Sequence, residues 1–344
     1  SIRVKGDDWD PSIDRSATLL EEINLTPQEI VARILEAGVV GMGGAAFPSH
    51  VKLTIPEGKH VDHLIINGVE CEPYLTADHR LMVEKSKEIL VGIKILMKAL
   101  GVGKAIIGIE ENKFDAITRF EELVKQEQGI EVAALEVHYP QGGEKQLIEA
   151  ILHREVPTGR LPVDVGVIVH NVGTTYAVYE AVQKNKPLIE RVVTVTGDSV
   201  KIPSNFLVRI GTPLMDLLLA AGGIPEDTGK IVSGGPMMGK AIADLDVPVA
   251  KGTSGIVLIR KSESMRAEVY NCVHCGKCIE ACPMGLEPYR LLLLTKKGDS
   301  EKAFEEHVMD CIECGSCSFV CPSNRPIVDY IRLGKTIVRS KPKS

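Results

Sequence analysis

The chain has 344 residues, of which 44% are hydrophobic and 25% charged, with a net charge of −6. That length admits two or three domains of about 100–200 residues each, and the acidic balance gives no footprint for nucleic acid or an anionic lipid surface. No apolar run reaches the roughly 18–20 residues needed to span a bilayer; in the most apolar helix-like stretch, Ile89–Leu100, Lys94 and Lys98 intervene.

Residues 1–25 read as a polar, poorly periodic N-terminal extension. Ser1 to Asp14 is charged and lacks the apolar core of a signal peptide. The chain starts without Met, as a processed or cut terminus would. Thr26-Pro27-Gln28-Glu29 then carries the signature of a capping box with Pro at the first helical position, and the helix should stop at Gly38.

From there apolar strand-like runs at His63–Asn67, Lys104–Ile109, Glu131–His138 and Val165–His170 alternate with helical patterns. The helices fall at about 78–100, 112–127, 143–153 and 174–184. Short β-rich runs each followed by an amphipathic helix predict an α/β domain with a mostly parallel sheet over 26–190. Three glycine-bearing polar loops sit where such strands end: Asn67-Gly68-Val69-Glu70-Cys71-Glu72-Pro73, Gly142-Gly143-Glu144 and His170-Asn171-Val172-Gly173-Thr174. In open α/β sheets ligands bind at strand carboxyl ends, with phosphates at helix N-termini. A further glycine-rich segment, Val40 to Pro48, matches neither a Rossmann fingerprint nor a P-loop. Alone it reads equally well as a tight helix-closing loop; with the other three it predicts a cofactor site.

After Arg191 the pattern changes. Val192–Thr196, Phe206–Ile210, Lys230–Ser233 and Gly255–Ile259 look like strands around one short helix from Thr212-Pro213 to Gly222-Gly223. A small α+β module over 191–262 is expected. Its loop Gly234 to Gly239 is either a plain turn or a segment that touches the cofactor.

Eight of the nine cysteines fall between 272 and 321, in CVHCGKCIEACP (272–283) and CIECGSCSFVCP (311–322). Both are C-x2-C-x2-C-x3-C-P, the spacing of two-cluster bacterial ferredoxins, in which the fourth cysteine ligates the other cluster. One [4Fe–4S] cluster is therefore assigned to Cys272, Cys275, Cys278 and Cys321, and the second to Cys311, Cys314, Cys317 and Cys282. Structural zinc also uses CxxC pairs, but normally as two pairs across a spacer rather than two complete runs ending in CP. Clustered thiols in a chain without an export signal point to a reducing compartment. Helical patterns at Glu287–Lys297 and Ser300–Met309 fill the gap between the runs, which predicts an all-helical ferredoxin module over 263–340. Cys71 reads as a small buried filler or a redox thiol, and His79 and His170 as hydrogen-bonded structural histidines.

GMGGAAFPSHVKL (41–53), INGVECEPYLTADHRLM (66–82) and HNVGTTYAV (170–178) closely resemble the C subunit of the Rnf ion-translocating electron-transport complexes. More loosely, they resemble the flavoprotein subunit of respiratory complex I. The resemblance covers about residues 27–335. It implies an FMN- and NADH-binding α/β domain, a β-grasp module and a helical two-cluster ferredoxin module, with another small domain ahead of them in the family. Carried over by position, it implies FMN on Gly41, Gly43, Gly44, Lys52, Asn67, Glu70, Gly142, Glu144, Asn171 and Thr174. Phe47, Glu72 and Glu144 fall where NADH is contacted. The complex I pattern has Arg in place of Met42, an acidic residue in place of Val69, and stacking aromatics that have no counterpart here.

The resemblance further implies a peripheral subunit of an NADH:ferredoxin oxidoreductase on the cytoplasmic side of a membrane. Its partners would be integral membrane and iron–sulfur subunits, with ferredoxin reached indirectly. No side chain is assigned as a catalytic acid or base. The alternatives are a soluble flavin and iron–sulfur cobalamin reductase, to which the family is similar, and a cluster-only electron relay that binds no nucleotide.

Overall fold

The structure is a computed structural model and describes residues 8–340. Helix α1 (Pro27–Glu36) opens with the capping box: Thr26 Oγ1 accepts the Glu29 N–H at 3.3 Å, and Glu29 Oε2 accepts the Thr26 N–H at 2.8 Å. It stops at Ala37, before Gly38 at φ +61°. Next come α2 (Ser49–Leu53), β1 (His63–Gly68), α3 (Ala77–Glu84), α4 (Ser86–Leu100), β2 (Ala105–Glu110) and α5 (Phe114–Val124). β3 (Ile130–Leu135), α6 (Glu144–Leu152), β4 (Val167–Asn171) and α7 (Val172–Gln183) complete the domain. The four strands pair in parallel in the order β3–β2–β1–β4, so their carboxyl ends share one edge.

Burial explains the layering. Helices α1, α4, α5 and α7 pack one face of the sheet through side chains such as Ile30, Ile93, Phe120 and Val178, while α6 covers the other with Leu147 and Ile148. α4 is apolar almost all round because the sheet, α1 and α7 enclose it. At Gly92 it approaches α7 so closely that a Cβ would strike the Thr175 carbonyl oxygen.

Two expectations are corrected. The single helix over 78–100 is two, because Lys85 leaves helical geometry (φ −125°, ψ 27°). The bend lets Leu81 and Met82 of α3 and Ile89 of α4 enter one core. The third strand ends at Leu135 rather than His138, since its neighbour β2 ends at Glu110, the partner of Leu135. Past that register the backbone has no strand to bond.

The second sheet comprises β5 (Glu190–Gly197), β6 (Ser204–Arg209), β7 (Thr228–Ser233), β8 (Lys240–Ile242) and β9 (Gly255–Arg260), with α8 (Leu214–Ala220) between β6 and β7. Its order is β6–β5–β9–β7–β8; β5 and β9 are parallel and the other pairs antiparallel. α8 closes a small core of Val193, Leu214, Leu218 and Ile256. The β-grasp expectation is met, with one short edge strand, β8, that carries no apolar alternation for a sequence reading to detect.

The helical module holds α9 (Lys261–Ser264), α10 (Lys277–Glu280), α11 (Pro288–Lys297), α12 (Ser300–Glu305), α13 (Ser316–Phe319) and α14 (Ile327–Ser340). Leu291, Leu292, Ile327 and Ile331 form its core. Among the described residues no helix is long and apolar enough to cross a membrane. Residues 8–25 contain no helix or strand but are tied down. Lys184 Nζ donates to Asp14 Oδ2 and to the Thr18 carbonyl, both at 2.6 Å. The Trp9 ring lies under the guanidinium groups of Arg15 and Arg209, at 4.4 and 3.9 Å. The first seven residues of the expected extension lie outside the described residues.

Candidate functional site

A cleft of about 420 Å³ opens at the carboxyl edge of the parallel sheet, within the range of roughly 300–1,000 Å³ usual for small-molecule sites. Gly41, Gly43, Phe47, Lys52, Asn67, Glu70, Glu72, Gly142, Glu144, Asn171 and Thr174 all line it. Of the residues expected at the cofactor, Gly44 alone stands off the wall, at φ +108° with open space where a Cβ would be.

Short bonds between loops set the shape. Gly41 N–H donates to the Phe47 carbonyl at 2.8 Å and folds the glycine-rich segment back on itself. Thr174 Oγ1 then accepts the Met42 N–H at 2.9 Å, which pins that segment to α7. Asn67 Nδ2 donates to the Gly142 carbonyl at 2.9 Å, joining the loop after β1 to the loop after β3. Asn171 caps α7 by accepting the Gly173 N–H at 2.8 Å, and its amide donates to Asp78 Oδ2 at 2.6 Å. Lys52 Nζ bridges Glu144 Oε1 at 2.6 Å and the Val169 carbonyl at 3.1 Å. Phe47 remains 46% exposed at the mouth, a ring face open to a ligand.

Burial governs the charges. Glu70 is pushed up to about 7, first by loss of water and then by neighbouring Asp78, against the pull of N–H groups that it accepts from Asp78 and His79. Burial also raises Asp78 and Glu72. It takes His170 down to about 3, with Lys52 adding to the effect, so that this imidazole is neutral. Cys71, which lines the cleft, is pushed up to about 11 by burial, so its thiol is neutral there.

The eight clustered thiols divide between two cavities. Cys282, Cys311, Cys314 and Cys317 line one; Cys272, Cys275, Cys278 and Cys321 line the other. Each cavity draws three thiols from one run and the last from the other run. Gly276 and Gly315 take φ +79° and +83° to turn the chain between ligands, a region L side chains disfavour. Among the described residues no three His, Cys, Asp or Glu side chains converge as around one metal ion; the thiols instead stand apart around space. Cys314 and Cys317 are buried, whereas Cys275 is exposed.

The first thiol cavity abuts the cleft. Ile312 lines both. Tyr139, on the cleft wall, donates its hydroxyl to the Cys314 carbonyl at 2.6 Å. The 234–239 loop fills the remaining gap: Glu72 accepts N–H groups from Met237 at 3.0 Å and Met238 at 2.7 Å, and Met238 reaches the cleft.

The donor set fits the groups that the sequence implies. Ser49 Oγ, Gln146 Oε1 and His170 Nε2 are buried without a protein partner, and all three residues line the cleft. A ligand rich in ring carbonyls, N–H groups and hydroxyls, as a flavin mononucleotide is, would satisfy them. The α7 N-terminus and Lys52 offer positive potential for its phosphate. For the thiol cavities, four-thiol sets on C-x2-C-x2-C-x3-C-P runs are the ligand chemistry of iron–sulfur clusters.

Several site residues escape the sequence reading. Asp78 looks there like an ordinary acid in a first helical turn. Arg191 looks like the polar end of a strand, yet it is 4% exposed and its field reaches Asp78 and Glu70. Tyr139 and Ile312 carried no signal because each acts across a contact between modules.

Such a cleft beside two sets of thiols defines a flavin- and iron–sulfur-binding chain of the electron-transfer class. Residues 34–180 match the Nuo51 FMN-binding domain, 192–241 the SLBB domain and 271–325 the 4Fe-4S dicluster domain. The chain is 49% identical to the C subunit of the proton-translocating ferredoxin:NAD(+) oxidoreductase complex of Clostridium ljungdahlii, covering 96% of this chain and 72% of that protein. It is 46% identical to the Na(+)-translocating counterpart of Acetobacterium woodii, covering 96% and 74%. The C subunit of the ion-translocating oxidoreductase complex of Rhodobacter capsulatus is 44% identical, over 97% of this chain and 64% of its own length. The fold is also that of a chain in the crystal structure of an NAD+-reducing [NiFe]-hydrogenase in the H2-reduced state, with a TM-score of 0.62 and 19% identity over 92% of this chain and 63% of that one. This chain belongs to the C-subunit family of ion-translocating ferredoxin:NAD(+) oxidoreductase complexes.

Proposed function

We propose that the chain passes electrons between NAD(H) and the iron–sulfur subunits of a membrane-bound NADH:ferredoxin oxidoreductase, through one FMN in the cleft and two [4Fe–4S] clusters in the thiol cavities. The observation that carries this reading is the shared wall at Ile312, reinforced by the Tyr139–Cys314 bond, which sets a four-thiol cavity directly behind a flavin-sized cleft.

A bound FMN would supply the exchange between the electron pair of a hydride and single electrons. The residues around it provide position. Gly41 and Gly43 let backbone approach the ring without a Cβ between them, and Gly44 supplies the positive-φ turn of that segment. Asn67 fixes Gly142 against the opposite loop, and Glu144 holds the Lys52 ammonium at the sheet edge. Asn171 and Thr174 fix the α7 N-terminus toward the phosphate. Phe47 offers a face at the mouth for the nicotinamide nucleotide, with Glu72 and Glu144 in reach of its polar groups.

The route runs from the cleft to the set of Cys282, Cys311, Cys314 and Cys317, of which Cys314 and Cys317 are buried, then to the outer set of Cys272, Cys275, Cys278 and Cys321, where exposed Cys275 faces a partner. The chain sits peripherally on the cytoplasmic side, and ion movement belongs to integral membrane subunits. Ferredoxin exchanges electrons through another subunit.

Iron, acid-labile sulfide and flavin per chain, followed by anaerobic addition of NADH, test the reading. About eight irons, one FMN and bleaching of both flavin and cluster bands are expected. Clusters without any flavin site would favour the relay. Copurification with integral membrane subunits separates the assignment from a soluble cobalamin reductase.

A further inference from the structure

Glu70 and Asp78 stand on the same cleft wall, both half-buried, and neither has a cation within ion-pair distance among the described residues. The cations that could serve them are engaged elsewhere. Lys113 Nζ binds Glu110 at 2.5 Å. The Arg191 guanidinium, arriving from β5, donates to the main-chain carbonyls of Lys251 and Val192. From β4, neutral Asn171 donates to Asp78, and His170 is held uncharged. From α3 and α5, the His79 ring is turned away to Asp115 at 2.7 Å. Lys52 of α2 is paired with Glu144. Glu70 Oε1 accepts the Asp78 N–H at 3.0 Å, which holds the two carboxyl groups on one wall, and there burial and then the charge of Asp78 raise Glu70 against the pull of Lys113, whose ammonium lies 3.5 Å from the Glu70 carbonyl oxygen.

We propose that Glu70 and Asp78 share one proton and exchange it with the bound flavin and the cleft water, which makes them the proton-transfer pair of the site. The inference rests on the function proposed above. Oxidation of NADH to NAD+ delivers a hydride, which is two electrons and one proton. The electrons leave one at a time, each reducing one cluster, so one proton per NADH must be released. A carboxylate oxygen of the pair takes that proton, forming an O–H bond, and gives it up to water at the cleft mouth; in the reverse direction it supplies the proton. Burial, with Asp78 raising Glu70 to about 7, sets the pair to exchange near neutral pH. The N–H groups of Asp78 and His79 hold Glu70, and the Asn171 amide holds Asp78, so that neither carboxyl turns away as its charge changes.

Infrared spectroscopy of the full chain without flavin decides whether the proton is shared. One protonated-carboxyl band that titrates near neutral pH is expected, and in both Glu70→Gln and Asp78→Asn the remaining carboxyl, freed of its neighbour's charge, should titrate at lower pH than the parent band. Absence of the band in the parent chain, or an unshifted titration in either variant, overturns the proposal. In the flavin-loaded chain, proton uptake per flavin reduced should be larger around pH 7 than in either variant; equal uptake likewise overturns it. A parent chain that takes up no flavin would instead defeat the proposed function, while the infrared result still decides the pair. Cluster absorbance reports folding of the variants, and the titration of the parent chain decides the matter should both fail to fold.

Discussion

The Tyr139 hydroxyl donates to the Cys314 carbonyl at 2.6 Å, so a cleft residue holds the backbone of a cluster-binding loop across the boundary between two modules. Burial pushes this phenol far above its ordinary range, so it stays neutral and a donor at any working pH. Tyr139→Phe removes one bond and leaves the ring in place. A loss of about 0.5–1.5 kcal/mol in unfolding free energy is expected. Stopped-flow traces should show unchanged flavin bleaching by NADH but slower appearance of reduced cluster, because the carrier loop is less firmly held.

The thiol cavities cross the sequence, and so should the phenotypes. Cys282→Ala, in the first run, should perturb the same cluster signal as Cys314→Ala in the second. Cys321→Ala should instead disturb the signal that Cys275→Ala affects. Each variant should lose up to about four irons per chain, read by iron analysis together with electron paramagnetic resonance of the reduced protein. Perturbation grouped by run rather than by cavity would count against the crossed ligation.

Legibility from sequence followed how local the physics was. Ligand spacing within ten residues announces an iron–sulfur run, and Thr26 with Glu29 announces a helix start, because both devices act within a turn or two. The carboxyl ends of β1, β3 and β4 were readable because parallel sheets put their loops on one edge. The features that stayed hidden depend on partners far along the chain. The β3 end is fixed by where β2 stops, and the break at Lys85 by how two helices share a core. Asp78 matters through Glu70 and Asn171, and Glu72, expected to meet the nucleotide, also spends its oxygens on the 234–239 loop.

That loop supplies the next test. Both Glu72 oxygens accept backbone N–H groups, and a Cβ on Gly235 would collide with the same carboxylate. Glu72→Ala leaves two donors unpaired, and a cost of about 1–3 kcal/mol is expected, with hydrogen exchange accelerated at Met237 and Met238. Glu72→Gln keeps an acceptor and should lose less. Uniform exchange rates across the alanine variant and its parent would mean that the carboxylate does not hold the loop.

Asp62 ties the entry to β1 to the segment after α6 through a two-pronged pair with Arg154, at 2.8 and 2.9 Å. Arg154 holds this carboxyl well below the usual range. Its native value therefore lies under the unfolded value of about 3.9. The stabilising contribution is complete above that unfolded value and is lost as pH falls through it toward the native one. Asp62→Asn should accordingly shrink the gap in unfolding free energy between the two proteins as pH drops from 6 to 3. A gap that widened on acidification would contradict the pairing.

Gly142 offers the sharpest separation of cleft shape from overall stability. A Cβ there would lie 2.5 Å from the Val69 carbonyl oxygen and 2.9 Å from Cys71 Sγ, both on the adjoining loop after β1. Backbone and a short, half-buried thiol cannot retreat as the end of a flexible side chain can, so Gly142→Ala must push the 139–143 loop outward, at a cost of about 1–3 kcal/mol. That loop carries the Tyr139 contact to Cys314 and the carbonyl held by Asn67, so one methyl group should loosen both. Gly103, with open space at the same position and an unexceptional backbone, is the control. Gly142→Ala should retain much less FMN through gel filtration than Gly103→Ala, with cluster iron unchanged in both. Equal flavin retention would place the ring away from the Gly142 wall and remove Gly142 from the flavin site.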